Sequence, residues 1–478
     1  MVCRFSPNTT AVDPPAFYYK GDKLETVQSF CYLGVPVSHD GSFMTAMEHR
    51  VEMARRALAM WSRRCTSFML RPDTASHLFK VCVLPVLEYG LPIWGLGGWT
   101  CKQWAEVEDF VARTARTILG APPHAPKDAL YGDLGWRPVW VRARILASNY
   151  WVRVAGLPPT SLPRKALAVQ RDLLAAGHQC WLFHMRQQLT EVPQTTDFWG
   201  SWWANGMEPE FRPVTTRVVR GKVINVPWEE QLREAFTAAA DEQWRSRVQA
   251  PTGVRGTGGN KLRTYARFKS SLGQEAYLST NMKSSTRQLM CRFRIGIAPL
   301  QVELGRRQPG PESRACLVCG AATEDEEHFL MACPLYDEVR SDLMGTVLAS
   351  LHTRPQQGEQ LMRRWQGGAQ ADRFDIIMAS QDTDDVQALA RYLEKAWELR
   401  ASFLALQAAP QDSQDQWRQG IDSDSGSLDG SGHFSDSVDQ PSLAIPTRPA
   451  DREEEVDRRR ARGIGSDADS EGTVVLEP

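Results

Sequence analysis

The sequence predicts a mainly α protein: a helical bundle, a helical connector, a small cysteine-histidine module with C-terminal helices, and a disordered acidic tail. Three observations carry this expectation. Apolar residues recur in steps of three and four through the first third of the chain, as a helix with one buried face requires. Cys316, Cys319, His328 and Cys333 crowd into one short segment. Beyond Pro410 the chain is rich in Ser, Asp, Gly and Gln, a composition that buries too little apolar surface to fold.

Taken in order, residues 1–20 form an N-terminal extension, and residues 21–155 the helical bundle. Tyr32-Leu-Gly-Val-Pro-Val37 reads as a short strand broken at its glycine. A long helix over about 45–69 carries Met47, Val51, Ala54, Leu58, Trp61, Cys65 and Phe68 on one stripe. Its arginines read as a solvated face. A second helix opens at Asp73 and kinks near Pro85. A third follows Thr100, with Trp104, Val107, Val111, Thr114 and Ile118 inward, and stops at Gly120 before Pro122-Pro123. A fourth opens at Pro138, with Arg142, Arg144 and Arg153 outside. Tyr131-Gly-Asp133 is expected on a loop.

Residues 156–252 form the connector, with one helix over about 162–189 and a packing role for Trp199, Trp202, Trp203 and Trp228. Gly253-Val-Arg-Gly-Thr-Gly-Gly259 lacks the Gly-Lys-Ser/Thr ending of a phosphate loop and reads as a hinge. Residues 253–345 combine a basic segment with the cysteine-histidine module, residues 346–409 supply C-terminal helices, and residues 410–478 form the tail.

Charge is divided unevenly. The chain totals −1, but residues 411–478 hold 16 acidic and 7 basic residues, a balance of −9 that leaves +8 on the rest. A basic body suits a polyanionic partner. In the basic segment Tyr265, Phe268, Tyr277 and Phe293 are interleaved with Arg263, Arg267, Lys269, Arg287, Arg292 and Arg294. That pattern reads as a phosphate-tracking surface, or else as a solvated helical face whose aromatics belong to the core. The N-terminus lacks the apolar run of a secretory signal, and residues 81–99 contain Glu88 and two prolines, unlike a membrane span. The expected location is intracellular, in nucleus or cytoplasm.

Cys316, Cys319, His328 and Cys333 follow the spacing C-x2-C-x8-H-x4-C, which suits one closed, tetrahedral, structural Zn2+. Gly320 relieves the first turn. Thr323 and Glu326 read as a capping box, which sets His328 on a short helix that Pro334 ends. Four protein ligands leave no position for a catalytic water. The other cysteines are scattered singly, without a disulfide rhythm.

The order of these motifs resembles the C-terminal part of LINE-type (non-LTR) retrotransposon reverse transcriptases. Tyr32-Leu-Gly34, the basic helix, Pro85-Val-Leu-Glu-Tyr-Gly90 with Trp94, Ile118-Leu-Gly120 and Leu134-Gly-Trp-Arg-Pro138 are similar to the thumb region. Arg294-Ile-Gly296, Glu303-Leu-Gly-Arg306 and the Cys316–Pro334 knuckle continue the resemblance. It spans most of residues 20–405, weakly over 156–252.

The resemblance implies a thumb-like bundle and a knuckle that grip template RNA and target DNA. Polymerase chemistry needs two metal ions on converging carboxylates, and the family's Tyr/Phe-Ala-Asp-Asp palm motif is absent from this sequence. The adjacent pair Asp384-Asp385 reads as a helix N-terminus. No catalytic residue is therefore assigned, and no polymerisation is expected from this chain alone. The expected nucleic-acid contacts are Arg263, Arg267, Lys269, Arg287, Arg292, Arg294, Arg306, Arg307 and Arg314, with Arg340 a further candidate. Alternatives are a zinc-stabilised interaction scaffold, to which acidic Glu324-Asp-Glu-Glu327 lends weight, a thumb subunit needing a separately encoded palm or endonuclease polypeptide, and a decayed reading frame.

Overall fold

Glycine-assisted turns at Lys20-Gly21 and Leu33-Gly34, with positive φ at all four residues, fold the N-terminal segment into two hairpins. The computed structural model describes residues 2–3, 16–64, 70–96, 101–192, 195, 200, 215–219, 221–249, 261–308, 310–354 and 357–408. The expected hinge over 253–259, the acidic tail, Cys65, Phe68, Trp199, Trp202 and Trp203 lie outside these residues. Strand β1 (Val2–Cys3) pairs with β4 (Thr26–Val27), β2 (Tyr18–Tyr19) with β3 (Asp22–Lys23), and β5 (Ser29–Tyr32) with β6 (Val35–Ser38). The segment around Gly34 is thus a hairpin, not one interrupted strand.

The first bundle comprises α1 (Met44–Arg64), α2 (Pro72–Leu78), α3 (Leu84–Leu87), α4 (Leu91–Trp94), α5 (Cys101–Leu119), α6 (Lys127–Leu134) and α7 (Val139–Ala155). Met47, Val51 and Ala54 of α1 and Val107, Val111 and Thr114 of α5 are buried, as their spacing predicts. The kink expected at Pro85 is a wide π-turn over Phe79–Val83 between α2 and α3, where the Leu84 amide donates to the Phe79 carbonyl. Proline there lacks an amide and crowds the preceding turn, so the ladder widens. Residues 131–133 correct the loop expectation: they belong to α6, and Asp133 is completely buried. Arg144 is also not outside. It stacks on Trp140, 4.6 Å from the ring centroid, and pairs with Glu191.

The single connector helix is two: α8 (Leu162–Ala175) and α9 (Trp181–Thr190), parted at Gly177, φ +82°. A hairpin, β7 (Thr215–Val219) and β8 (Lys222–Val226), then leads into α10 (Trp228–Gln249). A hydrophobic cluster of Leu96, Trp151, Leu182, Leu189, Leu232 and Phe236 joins these helices to one face of α7. The boundary expected after residue 155 therefore cuts through shared packing.

The remaining helices are α11 (Tyr265–Phe268), α12 (Ser284–Arg294), α13 (Gln301–Leu304), α14 (Asp337–Thr353), α15 (Gln357–Gln366), α16 (Gln370–Ala379) and α17 (Thr383–Ala408). The main core runs unbroken from α1 and α5 through α12 to Phe329, Cys333 and Leu393. The cysteine-histidine segment is part of this core and not a separate small module. Tyr265, Phe268, Tyr277 and Phe293 are all buried in it, so they provide no stacking platform. Among the described residues no helix is long and apolar enough to cross a membrane.

At the centre of this core sits a set of buried charges. Asp133 accepts hydrogen bonds from the Tyr265 hydroxyl at 3.0 Å, the Tyr277 hydroxyl at 2.9 Å and Arg294 Nε at 3.3 Å. Arg294 also donates to Glu275 at 2.6 Å and to the Met378 carbonyl. Lys269 and Gln381 complete the shell around Glu275. Burial pushes the Asp133 carboxyl up from its ordinary value, against the pull of Arg294. For Glu275 burial acts the same way, but Arg294 and Lys269 outweigh it and hold the carboxyl below the usual range. Breaking one partner of such a set strands a charge in a low-dielectric interior. Asp133→Ala is expected to lower stability by about 3–5 kcal/mol, and Tyr277→Phe by about 1 kcal/mol. Urea titrations of the two variants check the ratio.

Candidate metal centre

The turn after Cys316 is closed by the Gly320 amide, which donates to the Cys316 carbonyl at 2.9 Å, and by the Cys316 amide, which donates to the Ala321 carbonyl at 2.8 Å. Gly320 has φ +74°, a conformation that glycine adopts without strain. This turn presents two sulfurs, Cys316 buried and Cys319 exposed.

His328 and Cys333 arrive differently. Residues His328–Ala332 form a π-turn in which the Cys333 amide donates to the His328 carbonyl at 3.0 Å. On a regular α-helix residues five apart lie about 140° around the axis. The wider turn stacks them instead, so the x4 spacing delivers both donors to one side. Asp325 caps this turn through its carboxylate, which accepts the His328 amide at 2.8 Å. The capping box expected from Thr323 and Glu326 does not form, because Glu326 is turned inward.

The four donor atoms lie within 4.8 Å of one another, with Cys319 Sγ and His328 Nε2 3.4 Å apart. A tetrahedral zinc with sulfurs at about 2.3 Å separates them by about 3.8 Å, so the donor set fits one closed ion. Burial and the neighbouring thiols push the Cys333 thiol up to about 12, and burial also raises Cys316. Burial lowers His328, which favours the neutral imidazole that a metal requires. Three thiols this close resist joint ionisation unless a cation compensates them. Zinc would supply that compensation and tie the turn to the helix.

The metal segment is anchored from its own interior. Phe329 is fully buried against Phe293, Tyr336, Tyr392 and Trp397, with centroids 4.6 to 6.3 Å away. The Tyr392 hydroxyl donates to the Phe329 carbonyl at 2.6 Å. Arg340 donates to the carbonyls of Leu330 at 2.8 Å and Cys333 at 2.7 Å. It therefore braces the centre and is not presented outward.

The acidic run beside the centre is internally neutralised. Glu324 receives two hydrogen bonds from Arg400 at 2.8 and 2.9 Å and one from the Gln301 amide at 2.9 Å. Glu326 pairs with Arg263 at 2.7 Å, and Glu327 with Arg267. The run consequently presents little repulsive charge.

These contacts redistribute the expected nucleic-acid residues. Lys269, Arg287 and Arg294 are buried, Arg287 donating to the carbonyls of Tyr277 and Thr280, so their heads do not reach a phosphate. Arg263 and Arg267 are committed to Glu326, Glu327 and Asp375. Arg306 pairs with Glu303 at 2.7 Å. The Arg307 side chain lies outside the described residues. Arg292 and Arg314 are half-buried, and each has an Nε without a hydrogen-bond partner; no carboxylate pairs with either among the described residues.

The bracing roles of Arg340, Tyr392 and Arg400 gave no sequence signal, since their partners lie 7 to 76 positions away, and Arg340 corrects its expected place among the nucleic-acid contacts. The sequence reading placed the cap at Thr323 and missed Asp325, whose position three residues before His328 is the signal that could have found it.

Residues 1–410 form one compact unit, and Cys333→Ser is expected to abolish retention of one equivalent of zinc and to lower the melting temperature of that whole unit. An independently folded module would instead lose zinc while the main transition stayed in place. Metal analysis with calorimetry separates these outcomes. Comparison with protein-family models, curated proteins and solved structures finds no match, so the chemistry of the centre is the ground on which function is read.

Proposed function

We propose that this chain is a non-catalytic, zinc-stabilised nucleic-acid-binding protein related to the C-terminal part of LINE-type reverse transcriptases. The observation that carries the reading is the Cys3His cluster built into the core of the helical bundle that precedes it. The thumb-like and knuckle motifs, which the resemblance orders along the chain, share one packing unit here. The partners in this reading are RNA, DNA, and a separately encoded palm or endonuclease polypeptide. Asp384 and Asp385 lie in the first turn of α17, where the Asp382 carboxylate caps the helix by accepting their amides at 2.9 and 3.3 Å, and the Asp385 carboxylate is buried against Ser380 and Arg354, which commits it within the fold.

Phosphate contact falls in this reading to cations that the fold leaves unpaired, chiefly Arg292 and Arg314. A second reading, a zinc-stabilised interaction scaffold, gains from one observation: much of the basic segment is consumed by internal ion pairs.

Equilibrium binding of the zinc-loaded protein to RNA and DNA hairpins across a salt series tests the first against the second. The affinity is expected to fall log-linearly with salt, and the pair Arg292→Glu with Arg314→Glu to reduce the slope by about 2. A folded, zinc-holding protein that binds neither hairpin at low salt overturns the nucleic-acid reading in favour of the scaffold.

A further inference from the structure

The π-turn over Phe79–Val83 sets Lys80 on the rim of a cleft of about 400 Å³, lined from α3, α7 and α10. Wide turns of this kind recur at functional sites, and the volume is that of a small-ligand pocket. The floor is apolar, formed by Phe79, Trp136, Val139, Val141 and Ile145, all buried. Gly135, with φ +63°, ends α6 and turns the chain so that Trp136 stacks on Phe79, centroids 4.8 Å apart. The Trp136 indole donates to the Ser76 hydroxyl at 2.9 Å, which fixes the ring in place. The Leu134-Gly-Trp-Arg-Pro138 motif thus supplies floor and rim together, Trp136 below and Arg137 at the edge with Lys80.

Charge indicates what the cleft holds. Lys80, Arg137, Arg142 and Arg233 line it against one carboxylate, Glu88. Three of these cations are already matched: Arg142 with Glu88 at 3.1 Å, Arg137 with Asp241 at 2.7 Å and Arg233 with Glu230 at 3.9 Å. Lys80 is exposed and has no carboxylate partner among the described residues, so the rim keeps one uncompensated positive charge. Desolvation at the cleft, and then the Arg137 charge, pull the Lys80 ammonium down from its ordinary value. A bound anion would offset both.

We infer, on the nucleic-acid reading above, that this cleft takes one unpaired nucleotide of a single strand, with its phosphodiester on Lys80 and its base over the apolar floor. A phosphodiester carries one negative charge, equal to the surplus on the rim. A concave site admits a base that is already splayed out, whereas a base in a duplex must first leave its stack and its pair. Thr237 adds a hydroxyl to the lining, and a hydroxyl both donates and accepts, so no one base is selected. Single strands are thus favoured over duplexes at this site.

The experiment compares the full-length, zinc-loaded protein with Lys80→Met and with Lys165→Met, which removes an exposed charge from α8 outside the cleft lining. Methionine keeps an unbranched stem and removes only the charge. Zinc content and circular dichroism confirm that each variant is folded. The probes are an oligothymidylate, a strand of abasic residues of the same length and a blunt DNA duplex, each titrated across a salt series. Lys80→Met is expected to weaken binding to the oligothymidylate and to reduce its salt slope by about 0.7, the value of one single-strand phosphate contact. Its slopes on the abasic strand and the duplex should match those of wild type, and Lys165→Met should leave all three in place. An equal effect of Lys80→Met on every probe overturns the inference, since the lysine then meets phosphate with no base in the cleft. No effect of Lys80→Met, or an equal loss in Lys165→Met, also overturns it. In each of these cases salt-dependent binding by wild type leaves the nucleic-acid reading standing. Absence of wild-type binding to all three probes overturns both, and makes an acidic peptide the occupant that the rim favours.

Discussion

Arg294 lies between two carboxylates, Asp133 and Glu275, deep in a core where water does not compensate charge. The three groups come from α6, from the loop before Ala276 and from α12, and Arg294 also holds the Met378 carbonyl at the end of α16. An isolated carboxylate in such surroundings would be protonated or expelled. Here each carboxylate oxygen has a donor, and the guanidinium lies over the rings of Phe268 and Tyr277, 5.0 and 5.4 Å from their centroids. Geometry this specific fixes how the N-terminal bundle meets the metal-binding half. Apolar packing alone tolerates sliding, whereas a fully satisfied polar network does not.

The same logic extends to the acidic run. Glu324, Glu326 and Glu327 are neighbours in sequence but answer arginines from two distant parts of the chain, Arg400 in α17 and Arg263 and Arg267 at α11. Charges that look like a repulsive cluster on paper become separate cross-links. Sequence clustering of charge says little about surface potential when the partners are distant in the chain. That is why the basic segment looked more like a nucleic-acid surface than its folded form supports.

What was legible followed from periodicity and ligand spacing. The α1 and α5 stripes, the stop at Gly120 and the four-ligand cluster depend on local geometry, which a sequence displays directly. The mainly helical character was likewise readable. The burial of Asp133, Lys269 and Arg294 was not, because a buried charge is written in the sequence like an exposed one. The β7–β8 hairpin was hidden for another reason: its residues alternate weakly, and the turn at Gly221 has no strong flanking signal. Two connector helices merged into one because a single glycine is often tolerated inside a helix.

The π-turn over His328–Ala332 makes the centre a gauge of chain length as well as of donor chemistry. Insertion or deletion of one residue between the histidine and Cys333 would rotate the donors apart while changing hydropathy hardly at all. Relaxation toward ordinary helical pitch would do the same without any change in sequence. Metal capture by this cluster would therefore be a test of backbone winding, performed inside the core where Phe329 is seated. Polypeptides that finish folding with the wrong winding would fail to close the site and would keep their thiols uncoordinated.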